Sequence, residues 1–185
     1  NMRHATLAAI AGALADSGIA TFRYNFPYSE KGGGRNSTET CVATIRSAVT
    51  AAHEAAPDLY LLAGGHSFGG RMTTTAQSEQ PLDGVQGLVL FSFPLHLAGR
   101  PDTKRAEHLT AIKVPMLFLS GTRDELAALE LLEPTIAKLG KNATLHKIDT
   151  ANHSYKVLKK TRSSDEDVFA EMARVLKGWI AERKP

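Results

Sequence analysis

The residues with the clearest chemical signature lie at 65–69 and read Gly-His-Ser-Phe-Gly. In a G-x-S-x-G pentapeptide the serine sits on a sharp turn between a strand and a helix, where its hydroxyl is exposed. Ser67 is therefore the candidate nucleophile. The helix that follows directs free N–H groups towards developing negative charge, so the Phe68 N–H is the first candidate oxyanion donor. We expect that glycine is required at 65 and 69 because the turn is too tight for side chains there.

A serine hydroxyl attacks efficiently only when a base accepts its proton and an acid orients that base. Asp124 follows a predicted strand at 114–119, and His153 follows a predicted strand at 145–148. Each lies just beyond the carboxyl end of its strand, as Ser67 does, and the chain order is serine, acid, histidine. The sequence therefore predicts that these three side chains meet at one edge of a parallel sheet.

Each partner of the serine has alternatives. Asp124 could instead cap the N-terminus of the helix that follows it. Glu125 and Asp149 are rival acids, although Asp149 is too close to His153 in sequence to approach from a separate loop. His153 could be a solvated loop histidine. His66, inside the pentapeptide, is expected to pack or to line the pocket rather than to act as the base.

Segments with helical spacing of apolar residues alternate with short apolar runs along the chain. Helices are predicted at 3–17, after a cap formed by Asn36 and Glu39, at 68–79, at about 126–139 and at the C-terminus. Further strands are predicted at 19–25, 59–63 and 85–91, and a loop with a glycine run at 26–36. This alternation favours one α/β domain over residues 1–185, with a mostly parallel sheet covered on both faces.

The composition argues against several classes of protein. The net charge is only +3, and no run of Lys and Arg is interleaved with aromatic residues, so no nucleic-acid partner is expected. Every apolar stretch is too short to span a membrane, and no membrane partner is expected either. Cys41 is the only cysteine, which favours a reducing compartment such as the cytoplasm. His53 and Glu54 lack a second histidine at metal-binding spacing, and the glycine run lacks the Lys-Ser/Thr of a nucleotide loop.

Four motifs in order add a resemblance to a known family. They are G-G-H-S-F-G-G at 64–70, F-S-F-P-L-H at 91–96, F-L-S-G-T-R-D-E at 118–125 and A-N-H-S at 151–154. Over nearly its whole length the chain resembles the small KANL- and TEX-like family of α/β hydrolases, a neighbour of the dienelactone hydrolases. The resemblance implies a three-layer, capless α/β-hydrolase fold with Ser67, Asp124 and His153 as the triad. It also implies that His96 lies near the rim of the site, as a substrate-binding residue.

The resemblance further implies a strand that precedes the sequence given. In such proteins a strand ending in a His-Gly-Ala-like turn comes before the first helix here, and that turn supplies the second oxyanion N–H. The strand belongs in the sheet between those at 19–25 and 59–63. We therefore expect that N-terminal strands are missing from this chain, and that these two segments are not hydrogen-bonded to each other.

Two functions fit these observations. The first is a serine hydrolase that cleaves a small ester, thioester or related acyl bond of a small molecule, without a metal or cofactor. The second is a catalytically idle member that binds proteins through an exposed apolar face, for which Trp179 and Ile180 on the last helix are the best candidates. The connection between the strands at 85–91 and 114–119 is too short for a lid. Its basic residues favour either an anionic substrate or a solvated surface helix; they are His96, Arg100, Lys104, Arg105 and His108.

Overall fold

The computed structural model describes residues 1–32 and 34–183. Gly33, in the predicted glycine run, lies outside the described residues. The helices are α1 (Ala5–Asp16), α2 (Pro27–Lys31), α3 (Thr38–Ala55), α4 (Phe68–Glu79), α5 (Leu129–Ala137) and α6 (Val168–Ala181), with 3₁₀ helices at Lys104–Ala111 and Gly140–Asn142. The strands are β1 (Leu62–His66), β2 (Gly87–Phe91), β3 (Met116–Gly121) and β4 (Ala143–Ile148).

The strands that the structure describes form one parallel sheet in the order β1-β2-β3-β4. Ala63 is paired with Leu88, Leu88 with Met116, and Met116 with Ala143. Since all four strands run in the same direction, the residues that follow them emerge at one edge of the sheet. This edge carries the loops of the candidate site.

Apolar cores cover both faces of the sheet, because successive strand residues point to opposite sides. On β2, Leu88 and Leu90 belong to the core under α3, α4 and α5, whereas Val89 and Phe91 belong to the core under α1 and α6. The three-layer α/β architecture expected from the sequence, with helices on both sides of a parallel sheet, is thus confirmed.

Residues 19–25 do not form the predicted strand. A strand requires a neighbour that completes its ladder of hydrogen bonds, and within the described residues none lies beside this segment. No hydrogen bond joins residues 19–25 to residues 59–63 in the part of the chain that the structure describes. A cavity of about 420 Å³ lies there instead, lined mainly by apolar side chains of α1, α3, β1 and residues 19–24. That a further strand belongs between the two segments stays a prediction.

The first strand of the sheet begins three residues later than predicted. The ladder with β2 starts where the Gln86 N–H donates to the Leu61 carbonyl at 2.9 Å, and Leu62 is the first paired residue. Leu59 instead closes a turn by donating its N–H to the Ala56 carbonyl, and it is 55% exposed. The apolar residues at 59–61 therefore precede β1 and do not form its first residues.

Two local predictions before α3 are also wrong. The N-terminus of α3 is capped by Ser37, whose hydroxyl accepts from the Thr40 N–H, and not by Asn36. The Asn36 side chain accepts from the Tyr28 N–H at 2.9 Å, and this long-range contact takes it away from the cap. The predicted loop at 26–36 contains α2, which begins at Pro27, a residue well suited to the first turn of a helix.

The last helix buries its apolar stripe. Trp179 is 4% exposed and packs with Met172 and Leu176 against the sheet and α1. Cys41 is a free, buried thiol on α3. No described helix is both long and apolar enough to cross a membrane.

The connection between β2 and β3 contains only a 3₁₀ helix, as the capless prediction requires. This helix, Lys104–Ala111, buries Ala106 and Leu109 against the core. His108 also contacts Thr74 of α4, with 2.8 Å between its Nε2 and the threonine hydroxyl. The connection is therefore packed onto the domain and leaves the loop edge of the sheet uncovered by a lid.

Candidate active site

Ser67 occupies a strained turn between β1 and α4. Its φ of 53° and ψ of −117° lie outside the regions that residues with a side chain normally adopt. Two backbone hydrogen bonds hold this turn: the Ser67 N–H donates to the Phe91 carbonyl at 2.9 Å, and the Arg71 N–H donates to the Ser67 carbonyl at 3.1 Å. Strain of this kind persists only where the surrounding structure enforces it, which is typical of functional residues.

Gly65 and Gly70 make the turn possible, and Gly69 does not. A Cβ atom on Gly70 would lie 2.7 Å from the Gly65 carbonyl oxygen, and one on Gly65 would lie 3.0 Å from the backbone at Gly69 and Gly70. A Cβ on Gly69 would meet nothing within 4 Å, and its φ is not positive. The expectation that glycine is required at 69 is therefore wrong, because the close approach of β1 and α4 falls one residue later.

His153 connects Ser67 to Asp124. Its Nε2 lies 2.7 Å from the Ser67 hydroxyl, and its Nδ1 lies 2.9 Å from each carboxylate oxygen of Asp124. A carboxylate can only accept, so Nδ1 carries the proton and Nε2 presents its lone pair to the serine. The structure thus brings the three predicted side chains together in the order that proton transfer from serine to histidine requires.

Asp124 is the acid that reaches the histidine. Its side chain is fully buried, and Oδ1 also accepts from the Leu126 N–H at 2.9 Å. The helix-capping alternative for Asp124 is wrong, because α5 begins only at Leu129 after the cap residue Ala128, and no side chain in the described part of the chain caps it. Asp149 is turned away from His153 and accepts from the Ser163 N–H and hydroxyl, while Glu125 is exposed.

The loop that carries His153 is held by residues that the sequence analysis did not single out. The Asn152 side chain accepts from the Ser154 and Lys156 N–H groups. The Tyr155 hydroxyl donates to the Leu119 carbonyl of β3 at 2.7 Å, and burial raises the pKa of this hydroxyl far above its usual range. The asparagine directly before the histidine was the only local signal for this loop geometry.

His66 supports the same loop from β1. Its Nε2 lies 3.0 Å from the His153 carbonyl oxygen and must donate, since that oxygen can only accept. Burial lowers the pKa of His66 below its ordinary value of 6.5. The ring also packs against His4 and Tyr155. His66 therefore packs, as expected, and its hydrogen bond holds the loop of His153. Its contribution to the substrate pocket stays a prediction.

His96 is occupied by the backbone. It is 3% exposed; its Nδ1 contacts the Leu97 carbonyl at 2.9 Å, and its Nε2 accepts from the Ala128 N–H at 3.1 Å. Both ring nitrogens are thus used to join two loops. A polar side chain this buried needs such partners, and the role of His96 in substrate binding stays a prediction.

Phe68 is the first residue of α4, and its ring packs edge-on against Phe26 and Tyr28. N–H groups in the first turn of a helix have no partner within the helix. The Phe68 N–H is therefore available beside the Ser67 hydroxyl for an oxygen that gains negative charge. No three His, Cys, Asp or Glu side chains within residues 1–32 and 34–183 are grouped to hold a metal ion.

Comparison with known families decides the classification. The family model described as an alpha/beta hydrolase domain matches residues 1–181. The chain belongs to this family. Its fold is therefore that of the alpha/beta hydrolases, and the arrangement around Ser67 occupies the strand-to-helix turn where such proteins carry their nucleophile.

Several solved structures share the fold of this alpha/beta hydrolase. An alpha/beta serine hydrolase without lid from Xanthomonas campestris is 19% identical, with a TM-score of 0.71 over 98% of this chain and 75% of that chain. A putative alpha/beta hydrolase from Agrobacterium tumefaciens is 17% identical, with a TM-score of 0.74 over 98% and 80%. Est1E from Butyrivibrio proteoclasticus, solved with ferulic acid bound, is 18% identical, with a TM-score of 0.71 over 99% and 84%.

Replacing Gly70 with alanine should destabilise the domain, whereas the same change at Gly69 should not. The new methyl group at 70 meets the Gly65 carbonyl, and overpacking of this kind costs about 1–3 kcal/mol. At 69 the methyl group meets open space, and alanine in a helix adds at most about 1 kcal/mol. Urea unfolding of both variants measures the difference. Equal losses would contradict the proposed contact between Gly65 and Gly70.

Lowering the pH should reduce the stability of the folded protein, because His66 is buried in its neutral form. Because burial lowers its pKa from 6.5, the unfolded chain binds this proton at a higher pH than the folded protein does. The stabilising contribution of neutral His66 to the free energy of unfolding is fully present above pH 6.5. It is lost as the pH falls through the lower pKa that His66 has in the folded protein. His66→Gln keeps a side-chain donor but does not titrate, so its urea midpoint should change less between pH 7 and 5. An identical pH slope in wild type and variant would contradict the assignment.

Proposed function

We propose that this protein is a serine hydrolase that cleaves a small ester, thioester or related acyl bond. One observation carries the proposal: the Ser67 hydroxyl, the His153 ring and the Asp124 carboxylate form a continuous hydrogen-bonded chain of 2.7 and 2.9 Å contacts. Family membership supports it, since the chain belongs to the alpha/beta hydrolases.

In the proposed reaction Ser67 attacks the carbonyl carbon while His153 takes the hydroxyl proton on Nε2. Asp124 holds the ring in the required tautomer and stabilises the positive charge that the ring gains. His153 then gives the proton to the leaving group, and the acyl group stays on Ser67. A water molecule, activated by the same nitrogen, attacks this acyl-enzyme and releases the acid.

The Phe68 N–H is proposed as a donor to the oxyanion. It lies at the positive end of α4, where preorganised donors are worth several kcal/mol in the transition state. The sequence resemblance adds that a second donor comes from a His-Gly-Ala-like turn. We propose no metal or organic cofactor for these steps, because proton transfer and oxyanion binding are supplied by the chain.

A small molecule is the proposed substrate, and nucleic acid and membrane are not proposed as partners. The loop edge of the sheet lacks a lid, so a long acyl chain would not be enclosed. Est1E, a structural neighbour, binds ferulic acid, which makes aromatic esters a reasonable first panel. Placement near the KANL- and TEX-like group, and a cytoplasmic setting, are further parts of the proposal and rest on the four sequence motifs and on the single cysteine.

The interaction-module alternative finds less support. Its candidate surface included Trp179, which is 4% exposed and packed into the core. An idle protein has no need for a buried carboxylate paired with a histidine, because the burial of such a charge costs energy. The geometry at Ser67 therefore favours the enzyme.

A fluorophosphonate probe should label Ser67 in the folded protein. The probe reacts with an activated serine, so labelling should vanish in Ser67→Ala and persist in Ser154→Ala, a control in the loop beside the base. Gel fluorescence with mass spectrometry of the labelled peptide measures both. A folded wild type that takes up no probe would overturn the proposal and would favour the idle alternative.

Loss of the nucleophile or of the base should each lower kcat by about three orders of magnitude or more. The double variant Ser67→Ala/His153→Ala should be no slower than either single variant, because the two side chains act as one unit. Hydrolysis of 4-nitrophenyl esters measures the rates, after circular dichroism has shown that each variant is folded. Multiplicative losses would mean that the two residues act independently.

A further inference from the structure

Two arginines lie over the aromatic ring that follows the nucleophile, and a third belongs to the neighbouring 3₁₀ helix. The guanidinium carbon of Arg35 lies 4.8 Å from the centre of the Phe68 ring, and that of Arg71 lies 5.7 Å from it. Arg105 lies on the 3₁₀ helix between β2 and β3, which contacts α4 through His108 and Thr74. Its positive charge contributes to the lowered pKa of Arg71. We call Arg35, Arg71 and Arg105 the arginine cluster.

The arginine cluster has no carboxylate partner within the described residues. None of the ion pairs there involves Arg35, Arg71 or Arg105. Within residues 1–32 and 34–183 the side chains of Arg35 and Arg71 also make no hydrogen bond. Arg105 uses one nitrogen to donate to the His96 carbonyl at 2.9 Å, and the rest of its guanidinium is not engaged. In the part of the chain that the structure describes, these three positive charges therefore have no carboxylate as a counter-charge.

Electrostatics shows that this arrangement is unfavourable when nothing is bound. Burial, followed by the charges of Arg105 and Arg35, lowers the pKa of Arg71. Burial, followed by the charge of Arg71, lowers the pKa of His108, which lies on the same 3₁₀ helix as Arg105. Stacking on an aromatic ring offsets only about 0.5–1 kcal/mol for each exposed cation. An anion that enters the cluster would relieve the repulsion.

The cluster is next to the proposed reaction centre. Arg71 lies one helical turn after the nucleophile, and its N–H donates to the Ser67 carbonyl. Phe68, between them in the chain, supplies both the proposed oxyanion donor and the ring on which Arg71 and Arg35 stack. The cluster therefore adjoins the helix turn and the aromatic ring that directly follow the nucleophile.

We propose that the arginine cluster, with Arg71 at its centre, binds a carboxylate or phosphate group of the substrate, so that the preferred ester carries a negative charge beside the scissile bond. Guanidinium groups match both anions because their planar N–H groups bind two oxygens at once. The inference rests on the proposed hydrolase function and names the class of its substrate.

Matched esters test the proposal: 4-nitrophenyl hemisuccinate, which carries a carboxylate, and 4-nitrophenyl valerate, which is neutral and similar in length. Arg71→Gln should raise KM for the hemisuccinate about tenfold or more, as expected for the loss of a hydrogen bond to a charged group. It should leave KM for the valerate within about twofold, since that ester makes no charged contact. Arg71→Lys, which keeps the charge, should recover part of the loss.

Lys177→Gln is the control for net charge, because Lys177 is exposed on α6, on the opposite face of the sheet. It should change neither KM. Equal effects of Arg71→Gln on both esters, or no effect on either, would overturn the proposal. The unchanged KM for the valerate also shows that the variant is folded, which separates a lost contact from a damaged site.

Binding without turnover separates this inference from the proposed function. Succinate and inorganic phosphate should each raise the Tm of Ser67→Ala, and the rise should disappear in Ser67→Ala/Arg71→Gln. A rise with only one of the two anions would assign the cluster to that anion. If wild type hydrolyses no ester but the Arg71-dependent rise is seen, the hydrolase function fails and the anion site stands. If neither anion raises Tm, the inference fails whatever the activity.

Discussion

The common direction of the four strands is the constraint on which the site depends. Residues that leave the carboxyl ends of β1, β3 and β4 emerge on the same edge, although they are far apart in the chain. Ser67, Asp124 and His153 each follow one of these strands and therefore need only short loops to meet. Apolar cores on both faces keep the strands in register, so the geometry of the three side chains is inherited from the whole sheet.

Because the loops are short, the backbone at Ser67 has little freedom to change its conformation. Ser67 takes a positive φ, and this conformation is held by the close contact of Gly65 with Gly70. On the other side, His66 fixes the backbone of the His153 loop, and Tyr155 fixes the same loop to β3. Ser67 and His153 are thus held together by these backbone contacts as well as by their own hydrogen bond. The contacts of His66 and Tyr155 both involve strands of the sheet.

Much of this could be predicted from sequence because it depends on local pattern. Apolar runs and the G-x-S-x-G turn predicted the parallel sheet, and the chain order predicted that Ser67, Asp124 and His153 would lie together; their catalytic role stays a prediction. The prediction of a strand at 19–25 is wrong, because hydrogen-bonded pairing in a sheet depends on a neighbouring strand and not on the segment alone. The cap predicted at Asn36 is wrong for a related reason, because its side chain accepts from the Tyr28 N–H, which is distant in sequence. The backbone contacts of His96 could not be predicted for the same reason. The stacking of Arg35 and Arg71 on Phe68 likewise has no signature in spacing, since it joins residues from separate elements.

The outer side of β1 has a consequence for handling the protein. Among the described strands β1 is hydrogen-bonded only to β2, so the other row of its backbone groups faces the apolar cavity. From Leu62 to Gly65 it carries no charged side chain that would discourage a second chain from pairing there. Exposed Phe22 and Leu59 add apolar surface close by. Without the further strand expected between residues 19–25 and 59–63, this edge is open to pairing with a second chain, and we expect concentrated protein to associate there.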